Sequence, residues 1–203
     1  MRDYFSSDDG GSWGGVDLLL PPPLSGTKDT RFGSDPSLAF DTSGNLYYSY
    51  IVVFFGNGFG VDGSEIAVAR SQNGGQTYPF VNFFSFASGS DHFNDKPMIT
   101  VDTSLTSKYN VYVAWDASSG GSSAGGIRVG ASSDHGRTFT ITRADNPSGP
   151  SEGIGAVPFA GPDGELYVAW SDYHNQVIAF NRSTDGGATW GKQVTLSPGE
   201  ALL

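Results

Sequence analysis

Apolar and polar positions fall into one recurring phrase. Asp35–Asp41 carries Leu38, Ala39 and Phe40 into a polar Thr42-Ser43-Gly44-Asn45 turn, and the apolar run Leu46–Ile51 follows. Asp95–Asp102 and Val111–Trp115 repeat the phrase around a longer turn. Ala156–Ala160 and Leu166–Trp170 repeat it around Gly161-Pro162-Asp163-Gly164. Two apolar runs about a Gly, Asn or Asp turn predict a β-hairpin. A third run follows each pair, at Glu65–Arg70, Ile127–Ala131 and Val177–Arg182. A fourth follows at Phe80–Phe84, Thr140–Arg143 and Gln193–Leu196. No window carries helical periodicity. Each repeat therefore predicts four antiparallel strands, A to D. Met1–Phe5 and Val16–Leu20 supply only C and D, and Pro21-Pro22-Pro23, which cannot donate to a ladder, ends them.

The turn between strands C and D is itself repeated. Ser183-Thr184-Asp185-Gly186-Gly187-Ala188-Thr189-Trp190 reads S-x-D-x-G-x-T-W. Ser132, Asp134, Gly136 and Phe139 mark a second copy; Ser71, Asn73, Gly75 and Tyr78 a third; Ser6, Asp8, Gly10 and Trp13 a fourth. The starts lie 65, 61 and 51 residues apart, at Ser6, Ser71, Ser132 and Ser183. Self-similarity at such spacing marks a repeat architecture. A short acidic side chain accepts hydrogen bonds from amides just ahead of it and closes a tight corner. Glycine supplies positive φ without steric cost, and the hydroxyls satisfy further turn groups. The closing aromatic is expected to anchor the corner against a sheet.

These corners resemble the Asp box, or bacterial neuraminidase repeat, of sialidase-like β-propellers. The resemblance covers essentially the whole chain, and the Tyr-Val-Ala-Trp phrase occurs twice, at Tyr112–Trp115 and Tyr167–Trp170. It implies an all-β propeller segment of four-stranded antiparallel blades, with a partial blade at 1–24 and blades at 25–87, 88–146 and 147–203. About three and a half blades fall short of the closed ring, which runs roughly 4–8. The remaining blades are expected in cis, the chain being a piece of a longer protein, or from a second chain in trans. The family also implies a secreted or cell-surface protein, although no leader is visible at Met1.

Composition narrows the partners. The net charge of −10 over 203 residues argues against nucleic acid and anionic membrane surfaces. The longest apolar run, Tyr50–Phe55, is too short to span a bilayer. With no cysteine there are no disulfides or thiolate-held metals. No cofactor motif is present, and no ligand spacing singles out a cation site, which leaves calcium open.

Chain direction separates the two ends of each blade. A–B turns and the corners share one end; D–A and B–C loops share the other, around the channel mouth. Candidate ligand-binding residues therefore lie in the second set: Arg31, Asp91, His92, Asp95, Lys96, Asp172 and His174, with Asp35, Asn94, Glu152 and Tyr173 nearby. Carboxylates, an imidazole and an amine suit a glycan or a cation; equally, Asp35 and Asp95 suit strand capping. The resemblance brings no catalytic set with it. The family's chemistry uses three arginines, a Tyr–Glu pair and an acidic Asp, and its N-terminal Arg-Ile-Pro-like motif is absent. Of seven arginines, Arg2, Arg70, Arg137 and Arg182 lie at corners, Arg128 in mid-strand and Arg143 on an outer strand, leaving Arg31 for the mouth. Three functions follow as alternatives: a carbohydrate-binding or scaffolding propeller, part of a glycoside hydrolase whose arginines lie outside this segment, or a purely structural array.

Overall fold

In the computed structural model every described element is a β-strand. The structure describes residues 1–24, 30–56, 60–89, 91–104, 109–118, 125–145 and 153–196. A two-stranded ribbon pairs β1 (Arg2–Phe5) with β2 (Gly14–Asp17). Sheet I holds β3 (Thr30–Phe40), β4 (Leu46–Phe55), β5 (Val61–Ser71) and β6 (Phe80–Ser88) in sequence order. Sheet II repeats the order with β7 (Phe93–Val101), β8 (Val111–Ser118), β9 (Gly126–Ser132) and β10 (Thr140–Arg143). Sheet III does so with β11 (Gly153–Ala160), β12 (Leu166–Asp172), β13 (Val177–Ser183) and β14 (Val194–Thr195). All pairs are antiparallel.

The core lies between sheets rather than within one. Tyr50, Phe54 and Tyr78 pack against the ribbon side of sheet I, with Leu18. Tyr47, Ile66 and Val68 of sheet I pack with Val111, Val113 and Trp115 of sheet II. Tyr112, Ile127 and Val129 of sheet II pack with Leu166, Val168 and Trp170 of sheet III. Both faces of the second strand in sheets I and II are thus buried, which accounts for its unbroken apolar run.

The four corners share one hydrogen-bond scheme. The serine Oγ accepts from the amide four residues on, at 2.8 Å for Gly10, 2.9 Å for Gly75, and 2.8 Å for Gly136 and Gly187. It donates to Asp8, Asn73, Asp134 or Asp185, whose side-chain oxygen accepts the amide four residues further on. Gly75 and Gly187 sit at φ 87°, where a Cβ is strained. Each later corner seats on the sheet before it. Gly136 lies against Tyr47 and Val68, and Asn82 Nδ2 donates to Arg137 O at 2.8 Å. Thr142 Oγ1 donates to Gly187 O at 2.7 Å. The anchoring role expected of the closing aromatic fails at the first corner: Tyr78 is buried, Phe139 and Trp190 are half-buried, but Trp13 is 65% exposed.

At the Asp134 corner burial is the largest single influence on the carboxyl and opposes its ionised form. Its hydrogen bonds from Thr138, Ser132 and Arg137 overcome that burial and hold it down at about 2. Its contribution is present above the unfolded carboxyl range and is lost as pH falls from about 4 towards 2. Asp134→Ala is expected to destabilise by roughly 1–3 kcal/mol at pH 7 and by much less at pH 2. Asp134→Asn, which copies Asn73, is expected to be milder, because Asn73 keeps the amide bond to Thr77 at 3.0 Å. Denaturant titrations at the two pH values check this; equal losses at both would refute it.

Candidate functional site

The inner strands carry a shared irregularity that builds the site. The ladders of β3, β7 and β11 shift register at Ser34/Ser37, Asp95/Met98 and Ile154/Val157. One residue in each bulge is left-handed: Asp35 (φ 53°), Lys96 (φ 51°) and Gly155 (φ 69°). A bulge inserts a residue and re-aims its side chain. Asp35, Asp95 and Lys96 therefore lie within strands, not in the loops expected from sequence, because β3 and β7 begin earlier than their apolar runs.

The bulges draw a charged cluster together. Lys96 Nζ donates to Asp95 Oδ2 at 2.7 Å, and Lys96 N donates to Asp95 Oδ1 at 3.0 Å. The Asp95 bond, with the fields of Asp95, Asp116 and Asp35, outweighs burial and raises the lysine. Ser34 Oγ donates to Asp35 Oδ1 at 2.8 Å. Asp116 stands directly across the ladder from Asp95, on the same face. Asp116 is 1% exposed, and its Oδ1 accepts from Gly155 N at 2.8 Å and Ala156 N at 3.4 Å, tying sheet II to sheet III. Burial pushes this carboxyl up to about 7, against the two amides. The cluster thus presents a solvent-facing ion pair of Lys96 and Asp95, backed by a buried carboxyl. Such a set offers both donors and acceptors to a polyhydroxylated ligand.

Asp116 was not legible as a site residue. It follows Trp115 in a strand phrase that reads as core, where the equivalent positions hold Ile51 and Ser171. The signal was the break in the repeat: an acid in one copy of a position that is uncharged in the other two.

The other candidates are dispersed. Arg31 lies in β3, not in a loop, and its Nη1 donates to Pro21 O at 3.1 Å. Asp91 is exposed in the turn after β6, its amide bonded to Ser88 O at 3.0 Å. His92 is half-buried, and burial with the nearby Arg128 lowers its pKa. Asp172 ends β12 and accepts from Asn175 N and Nδ2 at 3.0 and 2.9 Å. His174 is exposed in the following turn. Glu152 lies outside the described residues. Among the described residues, no group of three or more His, Asp or Glu is placed to hold a metal. No helix of the described residues is long and apolar enough to cross a membrane.

Four of the arginines are held by partners outside the cluster. Arg2, Arg70 and Arg182 sit over the rings of Tyr4, Tyr47 and Tyr167. Arg143 pairs with Asp145 at 2.6 Å, and Arg128 lies opposite Trp115 and Arg143 in the ladder.

No family model and no curated protein matches the chain. Solved structures do. The leech intramolecular trans-sialidase superposes with a TM-score of 0.66 at 14% identity, over 97% of this chain and 46% of that one. A Hadza microbial sialidase gives 0.62 at 16% identity, over 97% and 40%. The fructofuranosidase of Schwanniomyces occidentalis gives 0.51 at 15%, over 87% and 36%. The chain spans less than half the length of each. Its fold is that of the sialidase-like β-propellers.

Proposed function

We propose that the chain is a binding and scaffolding section of a sialidase-like propeller, that it takes carbohydrate at the channel mouth, and that its four corners are Asp boxes. The observation that carries the binding reading is the Asp35, Asp95, Lys96 and Asp116 cluster on the inner-strand bulges. Lys96 and Asp95 supply the contact, and Asp116 holds their strand to the next sheet. The arginine placement favours binding over sialoside cleavage within this segment, because a sialic acid carboxylate calls for convergent guanidinium groups. The outer face of sheet III supports a further blade in the complete ring. Tyr167 there occupies the position at which Tyr47 and Tyr112 receive the following corner.

A glycan array followed by calorimetric titration of the selected glycan tests the reading. Asp95→Ala and Lys96→Ala are each expected to weaken binding at least tenfold, and a fluorogenic sialoside is expected to remain intact. Unchanged affinity in both variants, or turnover of the sialoside, would overturn it.

A further inference from the structure

The two junctions between complete sheets use the same positions but fill them differently. Between sheets I and II, the ring of Phe84 lies edge-on to Trp115, with centroids 5.9 Å apart, and stacks on Phe139 at 4.4 Å. Gly130 makes room, since a Cβ there would lie 3.3 Å from Phe84 and from Phe139. Asn94 accepts the Trp115 indole N–H at 2.8 Å.

Between sheets II and III, register places Ala144 beside Ile127, as Phe84 stands beside Ile66. Asn181 replaces Gly130, Gly153 replaces Asn94, and Trp170 and Trp190 replace Trp115 and Phe139. An aromatic ring is thereby lost from between two tryptophans. Asn181 fills part of the space but is fully engaged. Its Nδ2 donates to Ala144 O and Gly191 O at 2.7 and 3.0 Å, and its Oδ1 accepts Arg182 N at 2.8 Å. Trp190 is fixed by its own indole bond to Thr142 Oγ1 at 2.9 Å. The indole N–H of Trp170 has no hydrogen-bond acceptor among the described residues, unlike that of Trp115. What remains is an open groove of about 1080 Å³, bounded by Trp170, Trp190, Asn181, Asp172, Lys192 and Gln193.

We propose that this groove, between sheets II and III and apart from the Asp95–Lys96 cluster, binds a saccharide residue, with Asp172 and His174 of the sequence candidates in its lining. A pyranose has one C–H-rich face that packs on an indole and an edge of hydroxyls that need polar partners. The groove supplies both: the half-buried Trp190 indole in its wall, and a carboxylate, an ammonium and an amide at its rim. Its volume, at the upper end of the roughly 300–1,000 Å³ range of small-ligand sites, leaves room for a short saccharide. The Trp170 N–H, left without its asparagine, is a donor for a sugar oxygen.

The swap Ala144→Phe with Asn181→Gly places a phenyl ring and a glycine where Phe84 and Gly130 stand between sheets I and II. It is expected to lower the thermal transition, because Ala144 O and Gly191 O lose the Asn181 donor, and to weaken saccharide binding at least tenfold in the folded chain on the same glycan array. Lys192→Ala, at the exposed rim, is expected to weaken it severalfold. In the unmodified chain, the array-selected glycan is expected to shift the indole N–H resonances of Trp170 and Trp190. Binding that survives both the swap and Lys192→Ala would overturn the groove. Glycan binding with unmoved indole resonances would also overturn the groove, and would leave the channel-mouth reading standing.

Discussion

Asp116→Asn is expected to raise the melting temperature at pH 8 by roughly 5–10 °C and to change it little at pH 4. The native carboxyl, raised by burial from 3.8 to about 7, keeps its proton while the unfolded chain gives its own up. Stability is therefore full below about pH 4, falls as pH rises, and levels off above pH 7. The deficit at pH 8 has a ceiling of about 4 kcal/mol, and each kcal/mol moves a domain of this size by roughly 2–4 °C. Asparagine keeps an oxygen for the Gly155 and Ala156 amides and carries no charge to bury. Melts followed by circular dichroism at pH 4, 6 and 8 give the profile. An equal shift at all three would mean that Asp116 is ionised throughout.

The second large effect is expected from Asn94→Ala, which should destabilise by about 3–5 kcal/mol. The Asn94 side chain is fully buried between sheets I and II. Its Nδ2 donates to Ser64 O at 3.3 Å and also to Ser85 O, and its Oδ1 accepts the Trp115 indole. Alanine would strand two carbonyls and an indole N–H away from water, at about 1–3 kcal/mol for each group left unpaired. Against a total stability of roughly 5–15 kcal/mol this is a large fraction. Urea unfolding at pH 7 reads it directly. A loss below 1 kcal/mol would show that water replaces the amide there.

The contrast between these two residues shows what was legible beforehand. The fold was readable because its information is local and repeated: turn residues at fixed offsets, and apolar runs of strand length. Boundaries were less so. β3 starts at Thr30 rather than Asp35, because its outer half pairs with the apolar extension of β4 through Phe55. The bulges were invisible because Asp35 and Lys96, not glycines, take the left-handed conformation. The inner cluster was legible only in part. Asp95 and Lys96 announce themselves by polarity, whereas Asp116 needs the register across β7 and β8 to meet them. The groove was hidden more deeply, since Ala144 and Gly153 are ordinary residues until matched with Phe84 and Asn94.

The seating of each corner on the preceding sheet gives assembly a direction. Tyr47 precedes His135 and Gly136 in synthesis, and Tyr112 precedes Gly186. Sheets II and III thus each find their landing site on the sheet made before them. Growth from the amino end can proceed one vane at a time, and the most recently made vane is always the one with an uncovered back.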